Sequence, residues 1–192
     1  LGIPLAGAIH TSPRFWDIRF VKFPKFGHLQ PDFIISNGHL SEHLLKLGGF
    51  PRSKIISGTA LRFDHLREAS DVERLSKPKG APKTVLIVTG VNLKTAKDLI
   101  NFVKSSRLLK QCNVVFRPHP STIQWFSKKF PRSQVDFETV SSLSKKYDAI
   151  ITESMSSMSL EFVAFQSRVF VPLPKGTLNF SPLAAVQRFE SY

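Results

Sequence analysis

The 192-residue sequence predicts an α/β fold built on a doubly wound, Rossmann-like parallel sheet. Short apolar runs alternate with segments of helical periodicity, and turn-forming residues separate the two, as in repeated βα units. The runs at 84–88 and 168–171 are continuously apolar instead of alternating, which is typical of strands buried on both faces. We therefore expect helices on both sides of the sheet.

The elements follow from these patterns in chain order. The predicted strands cover residues 3–8, 32–36, 54–58, 84–89, 112–117, 149–153 and 168–172. A helix is expected at 93–108, where one face carries Ala96, Leu99, Ile100 and Val103. A second helix is expected at 156–165, because serine is favoured at helix N-caps. A surface helix is expected after Asn37-Gly38.

The stretch at 76–83 is rich in Pro, Gly and Lys and reads as a linker. It divides the sequence into residues 1–75, the end of one Rossmann-like domain, and residues 84–192, a second one. The sequence opens on an apolar run without a Met, and we expect it to be a piece of a longer protein.

The net charge is +13, from 27 Lys and Arg against 14 Asp and Glu. Residues 1–83 contribute +6 and residues 84–192 contribute +7. No zinc-finger spacing, aromatic RNP strand or basic heptad helix is present, so nucleic acid is disfavoured as a partner. An even positive field also suits anionic small molecules or an anionic membrane surface.

Cys112 is the single cysteine, which excludes an internal disulfide, and we expect it to pack in the core. No apolar stretch approaches the roughly 20 residues that span a bilayer, and no secretory signal opens the sequence. We expect a cytoplasmic protein with peripheral contact at the inner face of the cell membrane.

Ligands of open α/β sheets bind beyond the carboxyl ends of the strands, so the turns at those ends are candidate sites. After the strand at 84–89, Gly90 lets a ligand approach the backbone, and Asn92 lies where free helix amides face outward. An ordinary βα loop with a glycine turn and an N-cap has the same pattern. The Gly-Lys-Ser/Thr ending of a P-loop is missing.

The second turn is Arg117-Pro118-His119-Pro120, in which two prolines fix the backbone around one imidazole. Both the imidazole of His119 and the guanidinium of Arg117 can donate hydrogen bonds to a phosphate. A purely structural turn is the alternative. The place at the end of a strand favours ligand binding by Arg117, His119 and Pro120.

The third turn, at 152–161, gathers several hydroxyl groups at a helix start. Ser154, Ser156 and Ser157 would combine with unpaired backbone amides into an anion site of modest specificity. Glu161, one turn into the helix, could accept hydrogen bonds from a ribose. Its alternative role is that of a capping-box partner.

Together these motifs resemble the carboxyl-terminal domain of bacterial GT-B-fold glycosyltransferases of capsular and surface polysaccharides. The likeness is to polysialyltransferases, Kdo transferases and CDP-glycerol glycerophosphotransferases. It implies that His119, Pro120, Ser156 and Ser157 bind a cytidine nucleotide and its phosphate. Segments 3–10 and 31–38 are similar to strands of the amino-terminal domain in these enzymes, which would bring His10 to the cleft between the domains. The acidic motif Asp/Glu-Asp/Glu-Gly expected of the family is absent.

The resemblance implies transfer of a glycosyl or glycerophosphoryl group from a CMP- or CDP-linked donor to a lipid-linked or glycan acceptor, in surface polysaccharide biosynthesis (capsule or lipopolysaccharide). His10 and Glu153 are the candidate catalytic residues. No cofactor and no metal is expected; His39 and His43 match a zinc pattern, but no third ligand can be assigned. A nucleotide-sugar epimerase and a non-catalytic nucleotide- or nucleic-acid-binding module stay open as alternatives.

Overall fold

The computed structural model describes residues 3–9, 31–60, 63–66, 83–173, 181 and 183. The chain forms two compact units, Leu1–His65 and Leu66–Tyr192. Each has a parallel sheet, which confirms an α/β fold compatible with a Rossmann-like architecture. The predicted linker at 76–83 lies outside the described residues apart from Lys83, so the domain boundary placed there stays a prediction.

The first unit is a three-stranded sheet with one helix. Strands β1 (Ala6–Ala8), β2 (Phe33–Ile35) and β3 (Ile55–Ile56) lie in that order, and helix α1 spans His39–Leu47. Gly38 precedes α1 at φ 127°, a conformation that side chains other than glycine rarely adopt. The core contains Ile34, Leu45 and Phe50. All three strands were predicted, within three residues of these bounds.

The second unit is a four-stranded sheet in the order β5-β4-β6-β7. Its strands are β4 (Thr84–Val88), β5 (Asn113–Arg117), β6 (Ala149–Thr152) and β7 (Val169–Phe170). They also confirm the predicted strands. The sheet is parallel throughout, with Val88 paired both to Arg117 of β5 and to Thr152 of β6.

Four helices accompany this sheet: α2 (Leu93–Ser105), α3 (Ile123–Lys129), α4 (Val140–Lys146) and α5 (Met158–Ala164). Helices α2 and α5 confirm the helices predicted at 93–108 and 156–165, although α5 begins two residues later than expected. Helices α3 and α4 were not predicted from the sequence. Among the described residues no helix is long and apolar enough to cross a membrane.

Both faces of the sheet are buried, because side chains alternate along each strand. Val85 and Ile87 of β4 point into a core with α2 and α3, which contribute Ile100 and Phe126. Leu86 and Val88 point into the opposite core, which contains Leu143 of α4 and Phe162 of α5. Cys112 packs half-buried against the first of these cores.

The strand order produces a switch point between β4 and β6. The chain leaves β4 through α2 toward β5, whereas it leaves β6 through α5 toward β7 on the other side of the sheet. Connections that leave neighbouring strands toward opposite faces open a crevice at their carboxyl ends, where such sheets bind ligands. The turns after β4 and β6 therefore lie side by side.

Candidate functional site

The centre of the crevice is the contact between Glu153, which follows β6, and Gly90, which follows β4. A Cβ at position 90 would overlap Oε2 of the Glu153 carboxyl group. Gly90 does not adopt a positive φ, so its backbone conformation is open to other residues. The glycine therefore leaves room for the carboxyl group of Glu153.

Glu153 is in an unusual electrostatic setting. Burial raises its pKa, while a side-chain hydrogen bond to Thr95, the backbone amide of Gly90 and the nearby His119 oppose the rise. A raised pKa favours the protonated form of the carboxyl group, which can then donate a proton as well as accept one. This is the property expected of a catalytic acid or base.

Three buried oxygen atoms near the ends of β4 and β6 have no hydrogen-bond partner among the described residues: Oε1 of Glu153, Oγ1 of Thr89 and Oγ1 of Thr152. Glu153 and Thr89 lie on the α2 side of the sheet, whereas Thr152 pairs with Val88 and points to the α4–α5 side. Buried polar atoms are normally hydrogen-bonded, so the two unpaired oxygens on the α2 side favour a polar ligand or bound water as the partner. Thr89 and Thr152 were not among the predicted site residues.

His119 is held in place by Ser121, a residue that was not predicted from the sequence. The Ser121 backbone amide lies 3.2 Å from Nδ1 of His119, and Ser121 Oγ lies 2.9 Å from the same nitrogen. In the Nε2–H tautomer Nδ1 accepts from the amide, whereas in the Nδ1–H tautomer it donates to Ser121 Oγ. Ser121 Oγ also donates to the Val91 carbonyl over 3.0 Å, which ties the turn after β5 to the turn after β4. A hydroxyl residue two positions after a proline-flanked histidine was the available signal.

Two further predicted residues have local structural roles. The side chain of Asn92 caps α2, since its Oδ1 accepts from the Lys94 backbone amide over 2.8 Å. Pro120 begins a short 3-10 turn, Pro120–Thr122, where its lack of an N–H costs no hydrogen bond. The structure thus contains the ordinary N-cap that the sequence pattern at Asn92 also allowed.

Arg117 and Glu161 lie on the other side of the sheet from Glu153. Arg117 pairs with Val88 in the strand register and points with it toward the α4–α5 face, whereas Glu153 continues the alternation of Ile151 toward the α2 face. Arg117 Nη1 donates to the Glu138 carbonyl. Burial lowers the pKa of Arg117, and the negative charges of Asp136 and Glu161 oppose this.

The serine-rich turn follows Glu153 and leads into α5, which contains Glu161. The Ser156 amide donates to the Glu153 carbonyl over 3.0 Å, and the Ser156 carbonyl accepts from Ser159 Oγ over 2.8 Å. Ser157 is the N-cap residue of α5 but makes no side-chain capping bond. Ser154, Ser156 and Ser157 are all half-buried.

A second polar cluster lies near the amino ends of β4 and β5. The Asp136 carboxylate accepts from Lys146 Nζ over 2.6 Å, from Tyr147 Oη over 2.8 Å and from the Glu138 amide over 3.1 Å. Although burial opposes ionisation, these hydrogen bonds lower the pKa of Asp136. The cluster borders a cavity of about 380 Å³ that also contacts Thr84. Its carboxylate is fully paired, which indicates a structural role.

The remaining candidates are histidines of residues 1–65. His10 lies outside the described residues, so its predicted role stays a prediction. His39 and His43 are exposed on α1. Within the described ranges, no three His, Cys, Asp or Glu side chains are grouped closely enough to hold a metal ion.

Comparison of the chain with protein-family models, with curated proteins and with solved structures gave no match. The fold and the crevice define the chain only as an α/β protein with parallel sheets compatible with a Rossmann-like fold. The function must therefore be argued from the crevice itself.

Proposed function

We propose that this chain belongs to a GT-B-type glycosyltransferase or glycerophosphotransferase and binds its nucleotide-activated donor in the crevice between β4 and β6. The observation that carries the proposal is the grouping of Glu153, Gly90 and His119 at the switch point of a parallel sheet. That is where sheets of this class hold nucleotides. The resemblance of the His-Pro and serine motifs to cytidine-binding enzymes favours a CMP- or CDP-linked donor.

The groups around the crevice suit a phosphate. A ring N–H of His119 can donate a hydrogen bond to a phosphate oxygen. Lys94 occupies the first turn of α2 and forms no ion pair with the described residues. These positive and hydrogen-bonding groups would stabilise the charge that develops on the leaving phosphate.

In the proposed reaction the acceptor hydroxyl oxygen bonds to the transferred glycosyl carbon or glycerophosphoryl phosphorus. The bond from that atom to the nucleotide phosphate oxygen breaks, and the nucleotide leaves with the electron pair. Glu153 in its ionised form accepts the acceptor proton, which its position and raised pKa support. Arg117 and Glu161 would act from the α4–α5 side of the same edge, on the donor phosphate and ribose. The acceptor is a lipid-linked or glycan chain at the inner face of the cell membrane.

Nucleotide binding is tested by thermal unfolding of the full chain with CMP, CDP, UDP, GDP or a single-stranded oligonucleotide. We expect CMP or CDP at about 100 times its Kd to raise Tm by roughly 5–10 °C. His119→Ala should reduce the shift, while His43→Ala, on exposed α1, should retain it. An absence of any shift with the nucleotides would contradict the proposal. Release of free sugar from a UDP-sugar would instead favour the epimerase.

A further inference from the structure

The helical layer of α2 and α3 carries a concentrated positive charge. Residues 93–134 contain nine Lys or Arg and one Asp, a net charge of +8, whereas the rest of 84–192 contains five Lys or Arg and six Asp or Glu. Because residues 1–83 and 84–192 carry nearly equal net charges, a comparison of the two halves does not reveal this concentration of positive charge. Eight of the nine cations are exposed. Seven of them define the α2–α3 basic surface: Lys94, Lys97, Lys104, Arg107, Lys110, Lys128 and Lys129. The eighth, Arg132, borders the cavity beside Asp136 and Glu138.

Within the described residues no ion pair neutralises the cations of this surface. The ion pairs there join Lys46 to Glu42 and Lys146 to Asp136 and Glu138, and none of them includes a residue of the basic surface. Asp98 is the single carboxylate between residues 93 and 134. Positive charge therefore predominates on this surface.

The geometry of α2 and α3 places cations of both helices on one side of the unit. Lys97 and Lys104 are seven residues apart, two helical turns, and so lie on the same flank of α2. Lys97 Nζ lies 5.6 Å from the centroid of the Trp125 ring, which shows that this flank faces α3. Helix α3 then ends in Lys128 and Lys129.

An exposed leucine lies within the α2–α3 basic surface. Leu108, in the turn after α2, is 79% exposed and is flanked by Arg107 and Lys110. By contrast, every aromatic side chain of residues 93–134 is buried or half-buried, so no ring is presented for stacking on a nucleic-acid base. Cations around an exposed aliphatic side chain are typical of surfaces that contact anionic lipid.

We propose that the α2–α3 basic surface binds an anionic lipid bilayer, with Leu108 entering the boundary between headgroups and acyl chains. Attraction of the lysines to acidic headgroups supplies the affinity, and it weakens as salt screens the charges. The inference goes beyond the proposed function. It needs no nucleotide, so either proposal can fail while the other stands.

Sedimentation of the full chain with lipid vesicles tests the inference. We expect binding to phosphatidylcholine vesicles that contain phosphatidylserine, little binding to phosphatidylcholine alone, and release by salt. Replacing two lysines by Lys104→Gln and Lys128→Gln should weaken partitioning by about 30-fold. The matched control, Arg52→Gln with Lys54→Gln, removes two exposed cations of the first unit and should change it less than about twofold.

Leu108→Ser separates a membrane from a nucleic acid. It should weaken vesicle binding by about tenfold through loss of apolar contact, and it should leave Tm unchanged because the side chain is exposed. Equal binding to neutral and anionic vesicles would overturn the inference, as would unchanged partitioning of the double-lysine variant. Displacement from vesicles by a single-stranded oligonucleotide, together with unchanged vesicle binding of Leu108→Ser, would assign the surface to nucleic acid instead.

Discussion

The carboxyl group of Glu153 occupies the space beside the α-carbon of Gly90 that a side chain at position 90 would need. Gly90 and Glu153 follow β4 and β6, which are neighbours in the sheet but far apart in sequence. Because Gly90 has no positive φ, the contact itself accounts for the glycine. A substitution at Gly90 can therefore move the carboxyl group of Glu153 without replacing the glutamate itself.

Gly90→Ala should displace the Glu153 carboxyl group toward solvent, because the overlapping atom is the mobile end of a side chain. The pKa of Glu153 should then fall toward its ordinary value, as burial is what raises it. A pH titration of the carboxyl carbon by NMR measures this. An unchanged pKa in Gly90→Ala would contradict the described contact. The free energy of unfolding should change by less than about 1 kcal/mol.

Glu153 should make stability depend on pH in a direction opposite to that of most carboxyl groups. Its folded pKa is raised above the ordinary 4.5, so its contribution to stability is fully present below pH 4.5 and is lost as pH rises through the folded pKa. Glu153→Gln has no ionisable group at this position, so its stability does not fall in this way as pH rises. Urea unfolding should therefore show the variant gaining stability relative to wild type between pH 4 and pH 7. A difference that does not vary with pH would contradict the raised pKa.

Tyr147→Phe should destabilise the second unit by about 1–2 kcal/mol at pH 7, because it removes a hydrogen bond to the buried Asp136 carboxylate. The pKa of Asp136 is lowered, so the stability it contributes is present above pH 3.8 and is lost as pH falls through the folded pKa. Urea unfolding measures this loss of stability, which should become smaller as pH falls and Asp136 is protonated. Phe170→Leu, at an exposed ring, is the control.

Ser121→Ala should free the imidazole of His119, because the hydroxyl group that links it to the Val91 carbonyl is lost. Nitrogen–proton correlation spectra of the ring should show different ratios of the Nε2–H and Nδ1–H tautomers in the wild type and in the variant. Ser127→Ala removes a comparable hydroxyl that donates to Ile123 in α3 and should leave the spectrum unchanged. An unchanged tautomer ratio in Ser121→Ala would contradict the described contacts.

The strands could be predicted because each is a short apolar run between turn residues. In β4 and β6 burial on both faces imposes that pattern. Helices α3 and α4 have seven residues each, too few for a periodic pattern to stand out. Helix α5 is equally short but was predicted from the serines at its start. Ser121 and the Asp136 cluster escaped prediction for another reason. Their roles depend on contacts with residues that the sequence pattern does not bring together.

The sequence by itself determined that the chain is an α/β protein with parallel strands, and that polar turns at 89–92, 117–120 and 152–161 lie beyond the strand ends. Local patterns suffice for this, because strand burial and turn chemistry are properties of neighbouring residues. Only the tertiary structure decided that β4 lies between β5 and β6. That order, with the alternation of side chains, places Glu153 against Gly90 beside His119 and directs Arg117 to the opposite face.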